Sequence, residues 1–415
     1  MNKFLKNVLF VLSGTVGAQA IGLLTIPIIT RQYGPEAFGV LGFVMAITNI
    51  LNPVSALTLP SSIVIASERD IEKISSLSKF LSLILMFLVL ITSAGYIELY
   101  NEEKKYLYLL FFTVFFSTTY QIEQNKMIRN GSFGIISKAA VLSSLFINLL
   151  KVLFAFVYPE AIILVFVSIF TPLIQTLFIT GNIRRAFINF RVSRSNLCFS
   201  TLKRYRNFPT YKFPQVLLNS MTQSLPVIVL ASKFGVVYGG YYSLSRMVIG
   251  VPINLLNKSV GDVFYSRISR LKREKKRIFP ELRNVTLILF MSMVIPFFVF
   301  SQIAPEMFVF IFGEEWEVSG NYAAWMSMWL LFALINRPSV VTIQVLNLQK
   351  NYLYYEATTM LIRTGVFYYV AVIFQDPFFA VKVFSIISCF VNFLLISWVF
   401  SKAINNDKCY IESMV

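Results

Sequence analysis

Apolar stretches of about twenty residues recur from one end of this chain to the other, the length a helix needs to cross a hydrocarbon core of ~30 Å. Charged and turn-forming residues delimit twelve of them: Val8–Ile29, Phe38–Leu59, Phe80–Ile97, Tyr106–Ile122, Ile135–Tyr158, Ala161–Ile183, Phe213–Ala231, Gly239–Gly261, Val285–Ser301, Tyr322–Asn336, Tyr354–Phe374 and Phe378–Phe400. Only 14% of the residues are charged, against about 25% in a soluble domain whose surface must face water. The expected class is therefore an all-α, multi-pass membrane protein. Lys3 and Lys6, an apolar run and Ala18-Gln19-Ala20 imitate a cleavable secretory signal. The run continues to Ile29 and is long enough to span, so it is read as the first helix.

Basic residues set the orientation, because cytoplasmic loops are enriched in Lys and Arg. With the N-terminus inside, the cytoplasmic side receives Arg69, Lys73, Lys126, Arg129, Lys138 and the run Lys272 to Arg277. It also receives Arg184 to Lys212, with eight basic residues and no acidic one. The opposite loops carry Glu98, Glu102, Glu103, Glu160, Glu306, Glu314, Glu315, Glu317 and Asp376, which puts both termini in the cytoplasm. The net charge of +17 follows from this asymmetry, so no nucleic-acid partner is expected. The expected location is the bacterial inner membrane.

What is missing narrows the chemistry. The chain has no His, which removes His-based acid/base catalysis, Ser/His/Asp triads and His-ligated metals. Cys198, Cys389 and Cys409 are too scattered for a metal cluster or a disulfide framework. No Walker-type phosphate loop occurs. Neither a cofactor nor a metal is expected. Transport, or a transferase built on carboxylates or arginines, remains.

The basic connection divides the helices into two groups of six: a lobe over 1–190, a linker over 191–208 and a lobe over 209–415. A short echo links the halves. Tyr33-Gly34 followed by Gly39 stands between helices one and two, and Phe234-Gly235 followed by Gly240 between helices seven and eight. Corresponding positions in two halves are what a repeat-built transporter shows. Pro27, Pro53, Pro172, Pro226, Pro252 and Pro296 interrupt spans, which suggests bent helices.

The informative residues are cations inside spans, where each costs on the order of 2.5–3.5 kcal/mol and so faces a cavity or a partner. Arg363 lies about nine residues into its helix, near the midplane at ~1.5 Å per residue. Arg246 lies about a third of the way in from the outer face and Lys151 in the outer third of helix five. Arg31 marks the outer end of helix one, where it can snorkel. A structural pair competes with a functional role for each. Few carboxylates are at hand, with Glu123 and Glu356 near cytoplasmic ends. A cationic cavity would take an anion, and the fork of Arg suits phosphate. Asn49 and Gln223 could line the same space for hydroxyl-rich cargo, although such residues also glue helices together.

The stretch Ile26-Pro27-Ile28-Ile29-Thr30-Arg31-Gln32-Tyr33-Gly34-Pro35-Glu36-Ala37-Phe38-Gly39 resembles the signature between the first two helices of Wzx-type oligosaccharide flippases. These belong to the multidrug/oligosaccharidyl-lipid/polysaccharide exporter superfamily. Tyr241 to Arg267, with Arg246 and Pro252, and Phe312-Gly313-Glu314-Glu315-Trp316 agree with it. The resemblance implies two six-helix bundles around a central cavity that opens alternately to each side. It also implies an undecaprenyl-pyrophosphate-linked oligosaccharide as cargo, with Arg246, Arg363 and Lys151 as candidates for the pyrophosphate. The expected partners are that glycan lipid, membrane lipids and the polysaccharide polymerase and chain-length machinery, around a monomer.

Two other classes compete. A cation-coupled drug exporter of the superfamily typically embeds an acidic residue in its first lobe, and Val8–Ile29 has none. A membrane polysaccharide polymerase usually carries a large outer loop, and the longest expected here, Gln302 to Asn321, has about twenty residues.

Overall fold

The computed structural model describes residues 3–100, 108–181, 199–274 and 276–412. Every regular element among them is helical. In chain order these are α1 (Lys3–Ser55), a 3-10 turn (Leu59–Val64), α2 (Glu68–Tyr100), α3 (Leu110–Arg129), α4 (Phe133–Val157), α5 (Ala161–Ile169), α6 (Thr171–Thr180) and α7 (Phe199–Arg204). A π-helical turn (Phe208–Lys212) leads to α8 (Phe213–Lys233), α9 (Val236–Arg273), α10 (Phe279–Phe312), α11 (Glu317–Ile335), α12 (Arg337–Val345), α13 (Gln349–Phe374) and α14 (Pro377–Glu412).

These elements make the twelve expected crossings. α1 supplies two, because its backbone turns at Gly34 with φ 68° and ψ 175°. α5 with α6, and α11 with α12, each form one broken crossing, with the break near the middle in the first and about two thirds of the way along in the second. Both breaks place a proline in the first turn of the new helix, Pro172 and Pro338, where the missing N–H costs nothing. Among the described residues eight stretches are long and apolar enough to span, the α1 stretch covering two crossings; the more polar α3, α8 and α9 complete the set.

The paired glycines adopt one conformation. Gly235, between α8 and α9, has φ 103° and ψ 155°, the same extended region with positive φ as Gly34. That region is essentially closed to residues with a Cβ. The aromatic-Gly echo thus marks the same corner in each half.

Helices also run past the expected span edges. α10 continues to Phe312 and α11 begins at Glu317, so the expected outer loop Gln302 to Asn321 shrinks to residues 313–316. Pro305 sits within α10 without ending it. On the cytoplasmic side α9 extends to Arg273, where Glu274 lies between Arg270 (2.7 Å) and Lys276 (2.8 Å). Those two cations hold its carboxyl down at about 2.

The described residues group into two compact units, Met1–Ile228 and Val229–Val415. Of the expected linker, residues 191–198 lie outside the described residues, while 199–208 contain α7. In the first unit the cytoplasmic end is organised by two charges. Asp70, 5% exposed, accepts hydrogen bonds on one oxygen from Ser67 (2.8 Å), Arg204 (2.8 Å) and Tyr205 (3.0 Å), which ties α7 to the start of α2. Arg129 donates to the carbonyls of Ile63 (3.1 Å) and Ala66 at the end of the 3-10 turn and pairs with Glu68 (2.8 Å). Beneath them pack Leu59, Ile63, Ile74 and Ile122.

In the second unit Phe264, Ile268, Ile278, Leu282, Val341 and Val399 form the cytoplasmic core. Asp407 of α14 closes it, accepting the backbone N–H of Ile278 and Phe279 at 2.9 Å each. It does from another helix what an N-cap does for its own, satisfying orphan donors at the start of α10. Asp407→Ala is expected to cost about 1–2 kcal/mol, seen as a lower melting temperature of the purified protein. An unchanged melting temperature would show that solvent caps α10 equally well.

Candidate functional site

Membrane helices that face only lipid and one another carry few polar side chains on exposed faces. α8 and α9 depart from this rule. Asn219 and Gln223 on α8 and Asn254 on α9 are exposed along helices that cross the membrane. Gln223 donates to Asn219, one turn away on the same face. Polar groups exposed at this depth are tolerated where a helix borders water or a polar ligand rather than lipid tails.

Arg246 lies on α9 ten residues from its outer end, roughly 15 Å deep. Its guanidinium stands 6.0 Å from the ring of Trp329 on α11. The same neighbourhood holds Tyr242, fully buried one turn earlier, and Ser245, which donates to the carbonyl of Ser319 at 2.7 Å. The Trp329 indole N–H is buried without a hydrogen-bond partner among the described residues.

Arg363 occupies the middle of α13, half-buried, on one helical face with Tyr352, Glu356 and Thr359. One terminal nitrogen reaches the Thr359 hydroxyl at 3.5 Å, while its Nε is buried without a partner among the described residues. Glu356, two turns away, acts on it electrostatically. The expectation that Glu356 lies too near the cytoplasmic end to offset a mid-membrane cation needs that adjustment.

A further arginine acts on the same cluster as Arg363. Arg337 starts α12, and its Nε donates to the carbonyl of Asn257 on α9 at 3.1 Å. It fits there because position 261 is glycine: a Cβ would come within 2.7 Å of the Arg337 Nε. Arg337, Arg363 and the carboxylate of Glu356 all act electrostatically on Tyr352. Arg337 was not among the sequence-derived candidates because Asn336-Arg337-Pro338 reads as the end of a span. In the structure the crossing resumes immediately, which leaves the guanidinium inside it.

The first unit holds the remaining candidates apart from Arg246 and Arg363. Lys151 lies on α4, half-buried, and its carbonyl accepts from the Tyr33 hydroxyl at 3.4 Å. Arg31 sits three residues before the Gly34 corner, and Arg31 and Asn49 are both exposed. Lys79 on α2 is a further cation missed in the sequence, where it borders a span and looks peripheral. It is 5% exposed and lies near Glu123, which pairs with Lys126 at 2.8 Å. No group of three potential metal ligands occurs among the described residues.

The model of a family described as polysaccharide biosynthesis protein matches residues 28–321. A membrane protein of Klebsiella pneumoniae, described as an uncharacterized membrane protein in the cps region, is 23% identical over 307 residues. That match takes in 71% of this chain and 61% of the relative, so the chain spans about three fifths of the relative's length. Among solved structures, an inward-facing multidrug resistance MATE family transporter of the MOP superfamily is similar with a TM-score of 0.73 and 16% identity. The match covers 94% of this chain and 96% of that one. The lipid II flippase MurJ, in an inward closed conformation, gives a TM-score of 0.73 at 15% identity, over 97% of this chain and 91% of that one. At these identities the likeness is one of fold.

Proposed function

We propose, for a chain that belongs to the polysaccharide biosynthesis protein family, that it moves a lipid-linked oligosaccharide across the bacterial inner membrane. The cargo is an undecaprenyl-pyrophosphate-linked repeat unit for O-antigen or capsule, carried from the cytoplasmic to the periplasmic leaflet by alternating access. The observation that carries this reading is the set of arginines held inside the crossings of the second unit; exposed amides on α8 in the first unit and on α9 in the second accompany them.

The chemistry divides accordingly. Arg246, Arg337 and Arg363 present donors to an anion, and the unpaired Nε of Arg363 is one ready to be used. Against Arg337 and Arg363 the cluster around Tyr352 supplies one carboxylate, Glu356, so an anionic phosphate would complete the charge balance there. Asn219, Gln223 and Asn254 offer amides to sugar hydroxyls. Lys151 adds a cation in the first unit. MurJ, similar in fold, is described as a lipid II flippase, which supports a lipid-linked cargo. We expect the polymerase and chain-length machinery to receive the product, and the protein to act as a monomer of two six-helix lobes with no cofactor.

The shortness of the 313–316 connection favours transport over polymerisation, because it leaves little outer protein for chemistry on the exposed glycan. The test is flipping of an undecaprenyl-pyrophosphate oligosaccharide in liposomes containing the purified protein, read by enzymatic accessibility of the glycan. Protein-dependent flipping supports the reading. No flipping across several glycan structures and imposed ion gradients, with drug efflux instead, would replace it by a small-molecule exporter.

A further inference from the structure

Where α4 meets α5 and α6, the first unit carries a groove of about 450 Å³ that no polar atom lines. Ile147, Leu150 and Phe154 form the α4 wall, and Ile163, Phe166 and Phe170 the opposite one. The break in the sixth crossing shapes it. Phe170 stands at that break, 4.6 Å from the ring of Phe166 and 5.8 and 5.4 Å from Phe112 and Phe116 on α3. This bracing holds the groove open. Phe154 and Phe166 are 38% and 49% exposed, so its mouth faces outward from the unit.

In lipid such a groove has no hydrophobic preference for one hydrocarbon chain over another, since the surrounding tails are equally apolar. Selectivity must come from charge or from packing. Lys151 supplies the charge. It follows Leu150 directly and stands one turn from both Ile147 and Phe154, so a cation adjoins the apolar wall. Among the described residues no carboxylate lies within ion-pair distance of its ammonium group. An apolar groove beside a mid-helix cation suits an amphiphile with an anionic head and a hydrocarbon tail.

We propose that this groove holds the polyprenyl chain of a polyprenyl phosphate or pyrophosphate lipid, with Lys151 neutralising the phosphate. The inference deepens the flippase reading and rests on it for the class of lipid. It also assigns a leaflet. From Ile163 to Ile174 the lining runs roughly 17 Å inward from the outer end of the crossing, close to half of a ~30 Å core. The chain seated there is that of the lipid in the outer leaflet, after its head has crossed.

The experiment is photo-crosslinking of diazirine-bearing undecaprenyl phosphate to the full chain in nanodiscs of phosphatidylcholine. The expected label falls on the α4 and α5–α6 walls. Unlabelled undecaprenyl phosphate should displace it at about tenfold lower concentration than phosphatidylglycerol, a difference of ~1.4 kcal/mol. Ile163→Trp, which fills the groove, should lower labelling about tenfold. Lys151→Met should remove the preference over neutral undecaprenol, and Lys151→Arg should keep it. Labelling elsewhere, or equal competition by phosphatidylglycerol, overturns the proposal and leaves only bulk lipid in the groove. Groove labelling by a protein that does not flip glycan lipids would keep this site and remove the flippase; flipping with label elsewhere would do the reverse.

Discussion

Proteoliposomes carrying Arg363→Ala are expected to flip an undecaprenyl-pyrophosphate oligosaccharide about a hundredfold more slowly than wild type. Removing one partner of a buried, hydrogen-bonded charge contact costs roughly 2–5 kcal/mol, and each 1.4 kcal/mol is a factor of ten. Arg363 meets the conditions for an effect of that size. It sits mid-membrane, its Nε has no partner among the described residues, and Glu356 is the carboxylate that acts on it. Arg363→Lys should recover part of the rate, because the charge survives and the forked donors do not. Arg246→Ala should be slowed as well. It also loses a cation against the Trp329 ring, so its loss is read beside the melting temperature, which separates binding from packing. Wild-type rates in both alanine variants would keep the transporter and discard the arginine site.

Gly320→Leu is expected to cause the largest loss of stability. On α11 a Cβ at this position would lie 2.5 Å from the Pro305 Cα and 2.8 Å from the Ala304 carbonyl oxygen, both backbone atoms of α10. Backbone cannot move aside as a flexible side chain would, so the hairpin of α10 and α11 must separate. Overpacking of a close contact costs about 1–3 kcal/mol and more where nothing yields. Close approach through small residues is also how helices associate in lipid, where no hydrophobic drive compensates. The check is thermal unfolding in detergent beside Gly365→Leu, a glycine with open space around it. Equal melting of the two variants would show that the hairpin is looser than this contact implies.

The helices were legible because lipid imposes a length. A block such as Ile135–Tyr158 matches α4 (Phe133–Val157) closely, since apolar content itself marks where such a helix lies. Span ends were less legible. Helices continue beyond the hydrocarbon without changing their hydrogen bonding, so α10 runs through the Glu306 that suggested a loop. Prolines misled in a related way. Pro338 looks like a terminator from sequence, yet in the first turn of a new helix it leaves the crossing intact and Arg337 within it.

By itself the sequence determined a twelve-crossing helical membrane protein, the Gly34 and Gly235 corners and the presence of costly cations at Arg246, Arg363 and Lys151. These are local properties, set by run length, by the conformations open to glycine and by the price of charge in hydrocarbon. Only the tertiary structure decided which groups answer those cations. It placed Arg337 in the notch at Gly261, brought Trp329 to Arg246, and closed an apolar groove between Lys151's own helix and two others. Such pairings join positions tens of residues apart, and helix packing, which no single apolar run encodes, brings them together.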